Sequence, residues 1–203
     1  MKIVGVGCGP GLLTEEAIES IRNARRILGS GRAIELVKDC IPETCLVEQI
    51  TDFRRPIGGD ETTVVLSTGD PMLGGLGYLD GEVVPGISSL QLAAARLHIP
   101  LSKVCVVTAH GRDHSGAAEE TVSEVRRGKI VFLLADPSFD PKDLFFLLRD
   151  CGPVRIALCS DLGYPQERIV TGTPDTPPGP VRGLFSLFIG NFPVPLQCNP
   201  SSE

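Results

Sequence analysis

At 203 residues the chain is long enough to bury a substantial core, as one large domain or two of about 100 residues each. Its 42% hydrophobic and 22% charged residues are those of an ordinary globular protein. A net charge of −6 argues against duplex nucleic acid as the main partner, because proteins that bind it present basic faces.

No apolar run approaches the roughly 20 residues that a membrane helix needs, and a strand-like segment begins directly after Met1. Neither a membrane span nor a signal peptide is therefore expected. The seven cysteines are odd in number and contain no CxxC pair. Reduced thiols in a cytoplasmic protein fit this usage better than a disulfide framework, and no metal site is expected.

The first strand is expected at residues 2–6 and feeds the run Gly5-Val6-Gly7-Cys8-Gly9-Pro10-Gly11. Thr14 then caps a helix with Glu15 and Glu16 in its first turn, where the helix dipole favours acids. Ala17, Ile18, Ile21, Ala24 and Leu28 recur at three- and four-residue steps, which extends that helix through Leu28. A second helix at 33–38 and a strand at 45–50 follow. The polar loop 52–61 carries Arg54, Arg55 and Pro56.

Two short β-branched runs come next. Val64-Val65-Leu66 ends in Ser67-Thr68-Gly69-Asp70-Pro71, and Val83-Val84 ends in Pro85-Gly86-Ile87-Ser88-Ser89. Such runs are buried strands whose carboxyl ends open into loops, and in open α/β sheets those loops bind ligands. Ser88 and Gln91 stand in capping-box spacing before an apolar helix at 90–97, and a strand at 104–107 follows. Strands alternating with helices through this half predict a parallel, helix-covered sheet.

The polar stretch 108–116 serves as the connection between domains 1–110 and 111–203. Beyond it, helices are expected at 117–127 and 142–149, and strands at 130–134, 155–159, 168–171 and 184–189. No helix of ordinary length separates the last three strands, so they are expected to pair antiparallel.

The first glycine run invites a nucleotide-binding reading. It fails the dinucleotide fingerprint, because GxGxxG begun at Gly5 meets Pro10 at its sixth place and begun at Gly7 meets Leu12. Asp70 followed by Pro71 makes a good helix start, yet Gly74, Gly75 and Gly77 follow, each costing about 1 kcal/mol in a helix relative to Ala. That density favours a backbone kept open for a ligand.

Taken in order, GVGCGPGLLT, STGDPMLGG and VPGISSLQ resemble the tetrapyrrole methylase family. The resemblance spans nearly the whole chain. It implies two α/β domains with a cofactor cleft between them, the N-terminal sheet parallel and the C-terminal sheet mixed. The cofactor it implies is S-adenosylmethionine, held by Pro10, Thr68, Gly69, Asp70, Ser88 and Ser89, with Leu134, Ala157 and Ser186 contributed by the second domain.

Within the family, the chain length and the segment Ala109-His110-Gly111-Arg112 look most like the C5-methyltransferases of cobalamin biosynthesis, which act on precorrin-7 or cobalt-precorrin-7. An anionic tetrapyrrole substrate follows from that likeness. So do a homodimer and a separate partner enzyme for C15 methylation and decarboxylation. Asp70 near the positive sulfonium and His110 as a proton-exchanging group are the catalytic candidates. Arg54, Arg55 and Arg112 are suited to hold substrate carboxylates by forked hydrogen bonds.

The alternatives are another methyltransferase of this fold, acting on a modified histidine of a translation factor or on a ribosomal RNA ribose, and a non-catalytic tetrapyrrole- or nucleoside-binding subunit. The first loop also differs from the family pattern, since Gly11 runs directly into Leu12.

Overall fold

A computed structural model describes residues 1–53, 57–109, 113–179 and 183–193. The chain divides into two compact units, Met1–Ser89 and Leu90–Glu203. Among the described residues each unit is built on one five-stranded sheet.

In the first unit the strands β1 (Lys2–Gly5), β2 (Arg26–Gly29), β3 (Leu46–Gln49), β4 (Thr63–Ser67) and β5 (Glu82–Val84) lie in the order β3-β2-β4-β1-β5. Every pairing is parallel. Side chains alternate across the strands, so Val4, Val64, Leu66 and Val84 face one way. There they bury Ala17 and Ile21 of α1 (Glu15–Arg22) and Ala33 and Val37 of α2 (Gly31–Val37). Ile3, Leu28 and Val65 cluster separately with Leu76. Thr14 caps α1 as its sequence implies, its hydroxyl accepting from Ala17 N at 3.1 Å.

The helix expected to run through Leu28 stops at Arg22. The N–H of Asn23 turns back to the carbonyl of Glu19 at 3.1 Å, and Ile27 and Leu28 enter β2 instead. The helical spacing of Ala24 and Leu28 is coincidental, because Leu28 is buried by pairing with Val65 rather than by a helix face.

The second unit carries α3 (Ser89–Leu97), which begins at the last residue of the first unit, then β6 (Val104–Thr108), α4 (His114–Arg126), β7 (Ile130–Leu134), α5 (Lys142–Leu148), β8 (Arg155–Ser160), β9 (Arg168–Gly172) and β10 (Phe185–Gly190). Its order is β6-β7-β10-β8-β9. β6 and β7 are parallel, whereas β10 runs antiparallel to both β7 and β8, and β9 antiparallel to β8.

This is the mixed sheet, with the antiparallel pairing expected of its last three strands. One face buries α4 and α5 through Val131, Leu133, Ile156, Leu158, Leu187 and Ile189. On the opposite face Phe132 and Phe188 meet edge to face at 5.1 Å.

The observed division after Ser89 differs from the expected one at 110. β6 pairs with β7, from Val104 with Ile130 to Thr108 with Leu134, so it belongs to the mixed sheet although it follows the helix pattern of the first half.

Candidate active site

The first unit gathers three loops at the carboxyl ends of neighbouring strands, with β1 lying between β4 and β5. Backbone bonds join them directly. Val6 N donates to Ser67 O at 2.9 Å, and Cys8 N to Ile87 O at 2.9 Å. Gly7 and Gly69 exchange both bonds, Gly7 N to Gly69 O at 3.2 Å and Gly69 N to Gly7 O at 2.8 Å. Both polar backbone groups of Gly69 are thus committed to Gly7.

Two different constraints demand glycine here. Gly69 has φ +77°, a conformation other residues adopt only with strain, although the space beside it is open to Ser88 Cα at 3.7 Å. Gly5 and Gly86 are fixed by contact instead. A Cβ on Gly5 would lie 2.5 Å from Gly86 N, and a Cβ on Gly86 would lie 2.2 Å from Gly69 O. The three loops therefore meet backbone to backbone.

Asp70 joins two of them. Its Oδ1 accepts from Met72 N at 2.8 Å and Leu73 N at 3.4 Å, and its Oδ2 accepts from Gly86 N at 3.0 Å. The segment after Pro71 forms turns rather than an α-helix, as its glycine density implies. Arg32 on α2 donates to the carbonyl of Cys8 at 3.1 Å and so braces the first loop. Sequence reasoning did not single out Arg32. The available signal was its place three residues after the end of β2, one more strand exit of the same sheet.

Of the residues expected to hold a cofactor, Pro10, Thr68, Gly69, Asp70, Ser88 and Ser89 all lie on these loops or at the start of α3. Gly69 and Ser88 are buried, Thr68, Asp70 and Ser89 half-buried, and Pro10 exposed. In the second unit Leu134 and Ser186 are direct partners across β7 and β10, and Ala157 opposes Phe188 two residues further along β10. By strand alternation these three share the face turned away from α4 and α5.

His110, Arg112, Arg54 and Arg55 lie outside the described residues. Among the described residues no group of three or more His, Cys, Asp or Glu is placed to hold a metal ion, and no helix is long and apolar enough to cross a membrane.

A parallel sheet with glycine loops at its strand ends, followed by a mixed sheet, matches a known class. Residues 2–177 match the family model for tetrapyrrole (corrin/porphyrin) methylases, and the chain belongs to that family. It is a methyltransferase.

Its relatives narrow the comparison. The chain is 30% identical over 184 residues to a probable cobalt-precorrin-7 C(5)-methyltransferase of Methanocaldococcus jannaschii, covering 81% of this chain and 85% of that protein. It is 28% identical to a decarboxylating precorrin-6Y C(5,15)-methyltransferase of a Sinorhizobium species, of which it spans 44%. Among solved structures it resembles the precorrin-6Y methylase of Archaeoglobus fulgidus with a TM-score of 0.69 and 30% identity, covering 94% of this chain and 97% of that one. The uroporphyrin-III C-methyltransferase of Thermus thermophilus, solved with S-adenosyl homocysteine, shares the fold at a TM-score of 0.68 and 20% identity, over 93% of this chain and 96% of that one.

Proposed function

We propose that the chain transfers a methyl group from S-adenosylmethionine to a ring carbon of a precorrin in cobalamin biosynthesis, at C5 of cobalt-precorrin-7 or precorrin-7. The observation that carries the substrate is the identity to the Methanocaldococcus protein over most of both lengths, because that relative is named for the C5 step alone. The C15 step and the decarboxylation named for the Sinorhizobium relative are assigned to a separate partner. The active form is a homodimer in the cytoplasm.

The cofactor reading is supported by the wall of the first unit. Gly69 has only Ser88 Cα, at 3.7 Å, within 4 Å of where its Cβ would be, so the wall has room for a ligand there and the residues present fit one, while the close approach of Gly5 and Gly86 holds the surrounding loops together. Pro10, Thr68, Gly69, Asp70, Ser88 and Ser89 form the cofactor-binding wall, and Leu134, Ala157 and Ser186 are the cofactor-binding candidates that the family resemblance gives in the second unit.

When bound, S-adenosylmethionine supplies an electrophilic methyl group and its own leaving group, so the protein contributes no covalent nucleophile. The task of the chain is orientation, which alone supplies a large share of the rate of an in-line displacement. Arg54, Arg55 and Arg112 hold the substrate carboxylates, and His110 exchanges the proton released when a ring carbon exchanges hydrogen for methyl.

Isothermal titration calorimetry with S-adenosyl homocysteine tests the cofactor assignment. A 1:1 isotherm with micromolar affinity is expected. Absence of heat at ligand concentrations about tenfold above that range removes the assignment.

A further inference from the structure

We propose that Asp70 is a positioning residue, a carboxylate clamp that holds the loop after β5 against the loop after β4 and so fixes the wall on which the cofactor lies. The inference rests on the methyltransferase reading for its consequence, although not for its geometry. Two of the three hydrogen bonds to Asp70 are local, from the amides two and three residues ahead, and they fold the turn after Pro71. The third comes from Gly86, sixteen residues away in the loop after β5, a strand that does not neighbour β4. It therefore spans the exit of β1.

At this crossing the glycine backbones approach too closely for a side chain on Gly5 or Gly86. Gly69 O sits 2.8 Å from where a Cβ of Gly5 would be and 2.2 Å from where a Cβ of Gly86 would be, so the backbones meet with nothing between them. The carboxylate of Asp70 reaches from one loop to the other instead. Both of its oxygens are engaged by amides, in the charge-assisted bonds that are about twice as strong as neutral ones. Turning toward a sulfonium or a substrate proton would leave the Gly86 N–H without its acceptor. The sequence suggests direct electrostatic help from Asp70; the bonding assigns it to the architecture of the wall.

Asparagine separates these roles. In Asp70→Asn the remaining oxygen can still accept from Met72 and Leu73, but the amide nitrogen turns a donor toward the donor on Gly86. Amide hydrogen exchange followed by NMR is expected to show Gly86 exchanging about tenfold faster in the variant while Met72 keeps its protection. Calorimetry is expected to show S-adenosyl homocysteine bound about tenfold more weakly, and kcat/KM for the methyl donor is expected to fall mostly through KM.

A variant with unchanged Gly86 exchange and unchanged affinity, or one in which kcat collapses while both stay as in the wild type, overturns the clamp. Should Asp70→Asn fail to fold, the wild-type protein decides the matter. A through-hydrogen-bond coupling between Gly86 nitrogen and the Asp70 carboxyl carbon is expected, and its absence in a spectrum that resolves the backbone couplings of Gly7 and Gly69 rejects the proposal. A wild-type protein that does not bind S-adenosyl homocysteine removes the cofactor reading, while Gly86 exchange still judges the clamp.

Discussion

Gly86 concentrates the demands that the site makes on single residues. Its missing side chain leaves room for Gly69 O and for the backbone of Gly5, three segments drawn from positions far apart in the chain. The neighbours that a Cβ would strike are backbone atoms, which cannot swing aside as a flexible side chain would. Gly86→Ala is therefore expected to destabilise the fold by about 1–3 kcal/mol, the cost typical of forcing atoms into a filled space. Gly58→Ala is the matched control, since nothing lies within 4 Å of the Cβ it would add and its φ lies outside the left-handed range. It is expected to change stability by less than about 0.5 kcal/mol. Urea denaturation of both variants checks the contrast, and equal midpoints would remove the close approach. The sequence marks these glycines as unusual by their number, but not by their reasons. Positive φ at Gly69 and steric contact at Gly86 read identically as the letter G.

Among the elements, those that form from local pattern were readable in advance. β4, β5 and β7 are short β-branched runs bounded by turn residues, and their places in the chain need no partner to be inferred. Two misreadings have one cause. Leu28 continues the spacing of α1, and β6 follows a helix as β2 and β3 do in outline, so periodicity assigns the first to a helix and the second to the first sheet. Pairing decides otherwise. β2 is held by β3 and β4, and β6 by β7, and pairing between segments is not carried by the spacing within one. Arg26 and Glu48 fasten the β2–β3 edge with a forked pair, Nε to Oε1 at 2.7 Å and Nη2 to Oε2 at 3.0 Å. That hydrogen bonding lowers the pKa of Glu48 below its ordinary value. A lowered carboxylate pKa contributes stability above the unfolded value and loses it as pH falls through the folded one. Arg26→Ala is expected to return the Glu48 titration, followed by carboxyl carbon shifts, toward the ordinary range. The denaturation midpoint should move little, because the pair is exposed to solvent. An unshifted titration would remove the forked pair as its cause.

For the molecule as a whole, the proposed substrate and the protein carry charge of the same sign. A chain of net charge −6 repels a polycarboxylate at long range, yet repulsion from charges more than about 10 Å away is largely screened at 0.1 M salt. Arginines within hydrogen-bond reach act at short range, where screening is weakest, so local attraction is expected to win. Binding of a polycarboxylate tetrapyrrole in the presence of S-adenosyl homocysteine should therefore weaken as salt rises from about 20 to about 200 mM, because ions compete for the arginines more than they relieve the distant repulsion. Arg112→Ala is expected to weaken tetrapyrrole binding and flatten that salt dependence while leaving cofactor affinity unchanged. Fluorescence quenching of the tetrapyrrole across the salt series measures both. Affinity that rises with salt would mean that the net charge governs the encounter, and Arg54, Arg55 and Arg112 would then lose their assignment as the substrate's counter-charges.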